Sequence, residues 1–230
     1  MDLKSHFQKI ENFYGEYMLL AGCIVVMGNA MDGGFLVDKD EIYPFGNPET
    51  FESALRIIKR RKNLFFAAVN EDYVGIIERN FPWLKRRDSF FYTVTREDFR
   101  GRKRHECVQL KKDAAGTIAK FWGGDKRYIR SRIERYPAFG IYDKKKLVAW
   151  VGIHNLTTRI GIMGFLHVLE DFRGRGLAES VSTCLAEEIF RTGRIVGIHI
   201  WTDNEPSKNL AKKLGFEKRC IHSWFWCERN

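Results

Sequence analysis

The sequence predicts an α/β protein with a mixed β-sheet and helices packed against it. In the C-terminal half, short apolar runs bounded by turn residues, which are typical of buried strands, alternate with stretches whose apolar residues recur every three or four positions, as on one face of a helix. Hydrophobic residues make up 44% of the 230 residues and only five residues are proline, so the composition indicates a folded chain with a full core.

Residues 1–104 are predicted to form an N-terminal α/β accessory domain. Their apolar pattern indicates one helix and two strands, at residues 51–58, 64–69 and 90–94. The charged, glycine-containing stretch Arg100–Arg104 is typical of a boundary between domains, and it places a second domain at residues 105–230.

The second domain is expected to open with a strand and two helices, followed by a β-hairpin and a third strand. The hairpin has a polar tip at residues 143–146, between two apolar runs. The first strand is expected at residues 107–110 and the two helices at residues 118–121 and 128–133. The hairpin strands are expected at residues 137–142 and 147–153, and the third strand at residues 160–169.

The most informative stretch is Phe165–Ala178. An apolar run leads through an acidic turn into Arg173-Gly174-Arg175-Gly176, and the spacing of apolar residues predicts a helix from Leu177. Glycines at the start of a helix let a ligand approach the backbone, and the first N–H groups of the helix attract phosphate. With Arg173 and Arg175 adding positive charge, the pattern predicts a phosphate-binding cradle. The motifs of nucleotide triphosphatases and of dinucleotide-binding folds do not fit this stretch.

The chain after the predicted helix continues the pattern of alternating elements. Gly193 is placed to end the helix, and residues 195–201 indicate a buried strand. A short helix is then expected, which Asn204 can cap and Gly215 can end.

The order of these elements and the glycine-containing loop resemble the GNAT superfamily of acyl-CoA-dependent N-acyltransferases. Residues 173–178 fit the superfamily's coenzyme A pyrophosphate pattern, Arg/Gln-x-x-Gly-x-Gly/Ala. Residues 136–142 and 147–150 are similar to the first hairpin of the glycine N-acyltransferase-like branch, and residues 28–38 are similar to a piece of its N-terminal half. The resemblance leaves open whether the N-terminal domain is a degenerate copy of the same fold.

The resemblance implies transfer of an acetyl or other short acyl group from acyl-CoA to the amine of a small molecule or an amino acid. A protein or peptide N-acetyltransferase and a non-catalytic acyl-CoA-binding regulatory protein remain as alternatives. Acetyl-CoA or coenzyme A would bind as the acyl donor, and no metal is expected. The implied coenzyme-binding residues are Leu166, His167, Val168, Arg173, Gly174, Arg175, Gly176, Leu177, Ala178 and Asn204.

The resemblance also points to His199 as the catalytic base. Glycine N-acyltransferases carry a glutamate on the strand before the cradle, and the matching position here is Ile162. In ribosomal-protein N-terminal acetyltransferases, a glutamate lies five residues before the asparagine; His199 occupies that position, and histidine side chains ordinarily titrate near neutrality. A buried structural histidine is the alternative interpretation, and His154 and His167 are weaker candidates for the base. Ala211 stands where many relatives have a tyrosine that protonates the leaving thiolate.

The net charge of +10 is concentrated in residues 96–135, which hold thirteen Lys and Arg residues against six acidic ones. This surplus fits a solvated helix face, steering of polyanionic coenzyme A, or tracking of a nucleic acid backbone. Nucleic acid is the least favoured of the three, because no recognition motif accompanies the charge.

The cysteines and the apolar runs suggest a location. The five cysteines form no Cys-x-x-Cys pair and are expected to be reduced thiols, without a disulfide or a zinc site. The N-terminus lacks a secretory signal, so a cytoplasmic location is expected. The longest apolar run, Tyr17–Met27, is about half the length needed to cross a bilayer, so we expect no membrane partner. A homodimer is left open.

Overall fold

The computed structural model describes residues 6–227, and the described residues contain seven α-helices and eleven β-strands. The helices are α1 (Phe13–Leu20), α2 (Pro48–Ala54), α3 (Glu71–Asn80), α4 (Ala115–Trp122), α5 (Lys126–Arg135), α6 (Leu177–Arg191) and α7 (Glu205–Lys213). The strands are β1 (Ile24–Met27), β2 (Gly33–Asp38), β3 (Glu41–Gly46), β4 (Phe65–Val69), β5 (Lys85–Val94), β6 (Val108–Gln109), β7 (Phe139–Asp143), β8 (Lys146–Leu156), β9 (Ile160–Val168), β10 (Ile195–Trp201) and β11 (Glu217–Trp226).

The described chain divides into two compact units. The first comprises residues 6–91, 201–203 and 219–227, and the second comprises residues 92–200 and 204–218. The chain therefore enters the second unit within β5, earlier than the boundary at residue 104 that the composition suggests. Whether residues 1–104 and 105–230 act as separate domains stays a prediction.

The core of the first unit packs against a mixed sheet. Strands β1, β2 and β3 form an antiparallel meander, β3 pairs in parallel with β4, and β4 pairs antiparallel with β11. Helix α2 begins where Oδ1 of Asn47 accepts from the backbone N–H groups of Glu49 and Thr50, and Pro48 supplies the first turn. Phe51 of α2, Phe66 of β4 and Ile77 of α3 are fully buried in this core.

The second unit carries the elements that the sequence predicts with most detail. Its strands follow the order β10, β9, β8, β7, β6, in which β10 and β9 are parallel and the other pairs are antiparallel. Its core joins the sheet to α4, α5 and α6 through buried residues such as Ile118, Ile129 and Leu185. This is the mixed α/β architecture that the sequence predicts.

The predicted elements of the second domain are confirmed at close to their expected bounds. The hairpin is β7 and β8, the third strand is β9, and the helix after the cradle is α6. Gly193 and Gly215 follow the ends of α6 and α7 with left-handed backbone, at φ values of +75° and +87°. Helices α1 and α3 and strands β1, β2, β3 and β11 were not predicted.

One expectation about the cysteines is wrong. Cys107 and Cys184 are joined by a disulfide across 77 residues of sequence, whereas Cys23, Cys220 and Cys227 are free thiols. The two half-cystines meet because residues 101–107 lie along α6. The spacing of the cysteines in the sequence does not indicate this contact.

Among residues 6–227, no helix is both long enough and apolar enough to span a membrane.

Candidate functional site

The central strands of the second unit part at one end of the sheet. β9 and β10 pair in parallel over four residue pairs, the last of which is Met163 with Ile198. Both strands continue beyond this pair, β9 as far as Val168 and β10 as far as Trp201. The predicted coenzyme-binding residues 166–168 therefore lie on the part of β9 that has left β10.

Strand β9 is bulged in this diverging part. Phe165 and Leu166 together stand opposite the single residue Val151 of β8, so one extra residue is inserted before His167 pairs with Trp150. Phe165 has a φ of +39°, a left-handed conformation that is unfavourable for an aromatic residue. Such strain persists only where the surrounding structure holds it, and it is concentrated at functional sites. The bulge redirects the backbone of β9 at the opening between the strands.

The loop that follows β9 has the geometry predicted for the cradle. Gly174 and Gly176 have left-handed backbone, with φ values of +76° and +79°, and a Cβ atom added to Gly174 would meet nothing within 4 Å. Gly176 is the N-cap residue of α6 and supplies no side-chain cap. The first N–H groups of a fifteen-residue helix are thus available beside an open glycine loop, an arrangement that favours an anion.

Two exposed arginines supply positive charge on the same loop. Nε of Arg173 donates to the carbonyl of Val168 at 3.3 Å, and Nη2 of Arg175 donates to the carbonyl of Asp171 at 2.8 Å. The guanidinium of Arg175 also lies 5.1 Å from the ring centre of Phe172. A guanidinium group carries five N–H donors, so both arginines can bind phosphate while these contacts persist.

The acidic residue in the first turn of α6 is turned inward. Glu179 is 3% exposed, and Nζ of Lys213 donates to its carboxylate at 2.6 Å. Burial alone raises the pKa of Glu179, but the hydrogen bond from Lys213 and the charges of Lys213 and Arg104 outweigh burial and lower the pKa. The carboxylate is ionised and paired, so it does not set an uncompensated negative charge beside the cradle.

An aromatic cluster lies next to the bulge. The ring of His167 stacks on the indole of Trp150 with 4.9 Å between centres, and Phe121 of α4 lies 6.2 Å from Trp150 and 6.4 Å from His167. Burial, followed by the charge of Arg173, lowers the pKa of His167. Trp150 is fully buried, and its indole N–H finds no hydrogen-bond acceptor within the described part of the chain.

His199 lies on β10, one residue beyond the last pair with β9. Val196 of β10 is paired with Gly161, and a Cβ atom at Gly161 would contact Ile189 of α6 at 3.0 Å, so this face of the strands packs on α6. Because side chains alternate along a strand, the half-buried His199 lies on the opposite face. The structure thus places His199 where β9 and β10 part, and its role as a base stays a prediction.

Asn204, Ala211 and Ile162 occupy the places that the sequence assigns to them. Oδ1 of Asn204 accepts from the backbone N–H of Ser207 at 3.2 Å, so this residue caps α7; its contact with coenzyme A stays a prediction. Ala211 is buried in the core, and Ile162 is buried on β9, so neither position offers an ionisable group.

Sequence reasoning did not point to Trp150, Phe121 or Phe165 as parts of the site. Phe121 and Trp150 belong to apolar runs that were interpreted only as core positions. Their meeting depends on how α4 packs against the sheet, which local periodicity does not encode. The positive φ of Phe165 has no signal in the sequence, since the residue type is one that avoids this conformation.

The comparisons with known proteins agree with this geometry. Residues 138–225 match the family described as FR47-like protein, a range that includes the cradle, β10 and Asn204. A search of curated proteins by sequence found no match.

Solved structures show the same architecture over most of the chain. A protein from Drosophila superposes with a TM-score of 0.74 at 19% identity, over 87% of this chain and 76% of that one. A GCN5-related N-acetyltransferase from Kribbella flavida gives a TM-score of 0.69 at 11% identity, over 94% and 95% of the two chains. A GCN5-related N-acetyltransferase-like protein from Streptococcus suis gives 0.66 at 15% identity, over 97% and 96%. The fold is that of the GNAT acetyltransferases.

The GNAT fold explains the shape of the second unit. The glycine loop before α6 and the diverging part of β9 contain the residues that the resemblance implies for coenzyme A binding, and that binding stays a prediction. At 11–19% identity the likeness to these three structures establishes the fold and not the substrate. Within residues 6–227, no group of three or more His, Cys, Asp or Glu side chains is arranged to hold a metal ion.

Proposed function

We propose that this protein is an acyl-CoA-dependent N-acyltransferase that transfers an acetyl or other short acyl group to the amine of a small molecule or an amino acid. The observation that carries the proposal is the parting of β9 and β10 beyond Met163 and Ile198, with the left-handed glycines 174 and 176 at the end of the diverging strand. An extended, phosphate-bearing acyl donor fits an opening between strands that ends at a helix N-terminus.

The residues of the cradle fit the diphosphate of coenzyme A. Gly174 leaves open space where a side chain would lie, and the N-terminus of α6 has no side-chain cap from Gly176. Arg173 and Arg175 carry exposed guanidinium groups on the same loop. The diphosphate would bind at residues 173–178, and the acyl-bearing arm would run along residues 166–168.

The chemistry that the site would perform is direct transfer. The amine attacks the thioester carbonyl, the C–N bond forms, and the C–S bond breaks as the thiolate of coenzyme A leaves. Backbone N–H groups at the bulge of β9 would stabilise the oxyanion that develops on the carbonyl. His199 would accept the proton that the amine must lose.

Departure of the thiolate does not require a dedicated acid. Ala211 stands where a tyrosine could protonate the leaving group, and it is buried in the core. A thiol ordinarily has a pKa of about 8.5, so its thiolate is a tolerable leaving group near neutral pH. We therefore propose that transfer proceeds without a protein acid.

An acceptor screen tests the proposal. The purified chain is incubated with acetyl-CoA and a panel of amino acids, small amines and peptides, and release of free thiol is followed. Acceptor-dependent release with one group of small amines is the expected result. Release with peptides alone would replace the small-molecule acceptor by a peptide. Tight binding of coenzyme A with no release for any acceptor would favour the non-catalytic alternative.

A further inference from the structure

A basic segment lies along the first turns of α6, beside the cradle. A Cβ atom added to Gly101 would approach Oγ1 of Thr183 to 2.4 Å, so the segment packs tightly on the helix. The backbone N–H of Arg104 donates to Oγ of Ser180 at 3.1 Å. Three residues later, the disulfide from Cys107 to Cys184 ties the segment to the next turn of the helix. We name residues 101–107 the α6 strap.

The α6 strap reaches the cradle at Gly176. Nε2 of His105 lies 2.8 Å from the backbone carbonyl of Arg175, at hydrogen-bond distance. A Cβ atom on Gly176 would be 3.9 Å from both Cδ of Arg104 and Nε2 of His105. Arg104 and His105 therefore stand directly beside the N-cap of α6, although His105 and Arg175 are seventy residues apart in sequence.

The strap carries more positive than negative charge, and its cationic side chains are exposed. The side chains of Arg102, Lys103 and Arg104 are all exposed. Arg104 interacts electrostatically with Glu179 of α6, which is buried and also paired with Lys213. Glu106 is the one acidic residue within the strap itself.

Besides its diphosphate, coenzyme A carries a 3′-phosphate that the cradle does not account for. The diphosphate occupies the helix N-terminus in the proposed function, and the 3′-phosphate is attached to the ribose at one end of that diphosphate. It must therefore lie close to the cradle. A phosphate monoester matches the planar fork of a guanidinium group, which can donate two parallel hydrogen bonds to it.

We propose that the α6 strap is the binding site for the 3′-phosphate of coenzyme A, with Arg104 as the residue that contacts it. This inference rests on the proposed function and adds to it the recognition of the 3′-phosphate. His105 and the disulfide hold the strap in place before the ligand arrives, which reduces the ordering that binding requires. The segment that the composition suggests as a domain boundary is thus part of the coenzyme site.

The affinities for coenzyme A and for 3′-dephospho-coenzyme A test this assignment. The two ligands differ by one phosphate, so the ratio of their dissociation constants isolates the contribution of the strap. Calorimetry on the parent chain is expected to give a ratio of about ten or more in favour of coenzyme A, which corresponds to one charge-assisted pair. Arg104→Ala is expected to weaken binding of coenzyme A about tenfold and to leave dephospho-coenzyme A unaffected.

Arg191→Ala is the matched control. Arg191 is an exposed arginine at the opposite end of α6, about 20 Å from the cradle at 1.5 Å per residue. Its removal should change neither affinity. Equal binding of both ligands by the parent chain, or equal weakening of both by Arg104→Ala, would overturn the assignment and leave the proposed function standing. Absence of binding for both ligands would overturn the proposed function, and the assignment with it.

Discussion

The hydroxyl of Tyr128 lies 2.7 Å from Nδ1 of His154, and this pair joins α5 to β8. His154 is the extra residue in a second bulge, because Ile153 and Asn155 pair with the adjacent residues Met163 and Ile162. Its ring covers Gly164, where an added Cβ atom would lie 1.8 Å from Cδ2 of the imidazole. Burial, followed by the charge of Arg132, lowers the pKa of His154 to about 4. So weak a base is poorly matched to an ammonium proton donor.

We expect the folded state to lose stability as the pH falls from 6.5 to about 4, because the pKa of His154 is lowered over this range on folding. The pKa of His154 is about 4 in the folded chain and 6.5 when it is unperturbed. Between these two values the imidazole is protonated in the unfolded chain and neutral in the folded chain, so protonation favours unfolding. The stabilisation is complete above pH 6.5 and declines toward pH 4. Denaturant unfolding at a series of pH values measures this slope.

His154→Gln should reduce the dependence of the free energy of unfolding on pH between pH 6.5 and 4, although His222 contributes to it over the same range. The pKa of His222, in the first unit, is also lowered to about 4, chiefly by burial, so a part of the pH dependence will remain. An unchanged slope in His154→Gln would show that the imidazole is already protonated, or already solvated, in the folded protein.

The pairing of Lys213 with the buried carboxylate of Glu179 should contribute to the stability of the second unit. Lys213→Met leaves the carboxylate buried with one fewer donor, and we expect a loss of about 1–2 kcal/mol in the free energy of unfolding, since the lysine itself is 55% exposed. Lys212→Met, at the exposed neighbouring position, is the control and should be close to neutral. Equal effects of the two substitutions would contradict a specific role for the pair.

Local sequence patterns predicted the cradle because its chemistry is local. Gly174 and Gly176 adopt the left-handed conformations that their positions before a helix suggest, and Asn204 caps α7 as expected. Helix α3 could also have been predicted, since Tyr73, Val74 and Ile77 have helical spacing.

The parts of the site that were missed depend on long-range contacts. The disulfide between Cys107 and Cys184 and the contact of Tyr128 with His154 join segments that only the folded sheet brings together. The two bulges in β8 and β9 shift the register by one residue each, and a register shift leaves no periodic signal in either strand alone. Strand β11 was missed because its first half is polar and exposed.

His199→Ala is expected to lower turnover by a factor on the order of a hundred, because the acceptor amine loses its base. The affinity for coenzyme A should stay nearly unchanged, since the imidazole is assigned to the acceptor and not to the donor. The pH–rate profile of the parent should rise with one group near neutrality, and this rise should be absent in the variant.

A structural role for His199 would produce a different pattern. The melting temperature and the affinity for coenzyme A would then fall together, while the protein that remains folded would keep most of its turnover. Unchanged turnover and an unchanged pH profile would remove His199 from the mechanism.

The basic residues of positions 96–135 are not expected to bind nucleic acid. We predict no binding of duplex or single-stranded DNA or RNA at physiological salt, measured by fluorescence anisotropy with labelled oligonucleotides. Tight binding that weakens steeply as salt is added would indicate contacts with several phosphates and would support the nucleic-acid interpretation.

Titration calorimetry with coenzyme A tests whether the diphosphate binds at residues 173–178. Gly174→Asp, Gly176→Asp and Gly193→Asp form a matched set, because all three glycines have φ between +75° and +79°, so each substitution imposes similar backbone strain and adds one negative charge. Gly193 follows the opposite end of α6. Gly174→Asp and Gly176→Asp are expected to abolish binding, whereas Gly193→Asp should bind as the parent does. Parent-like affinity in either cradle variant would contradict this assignment.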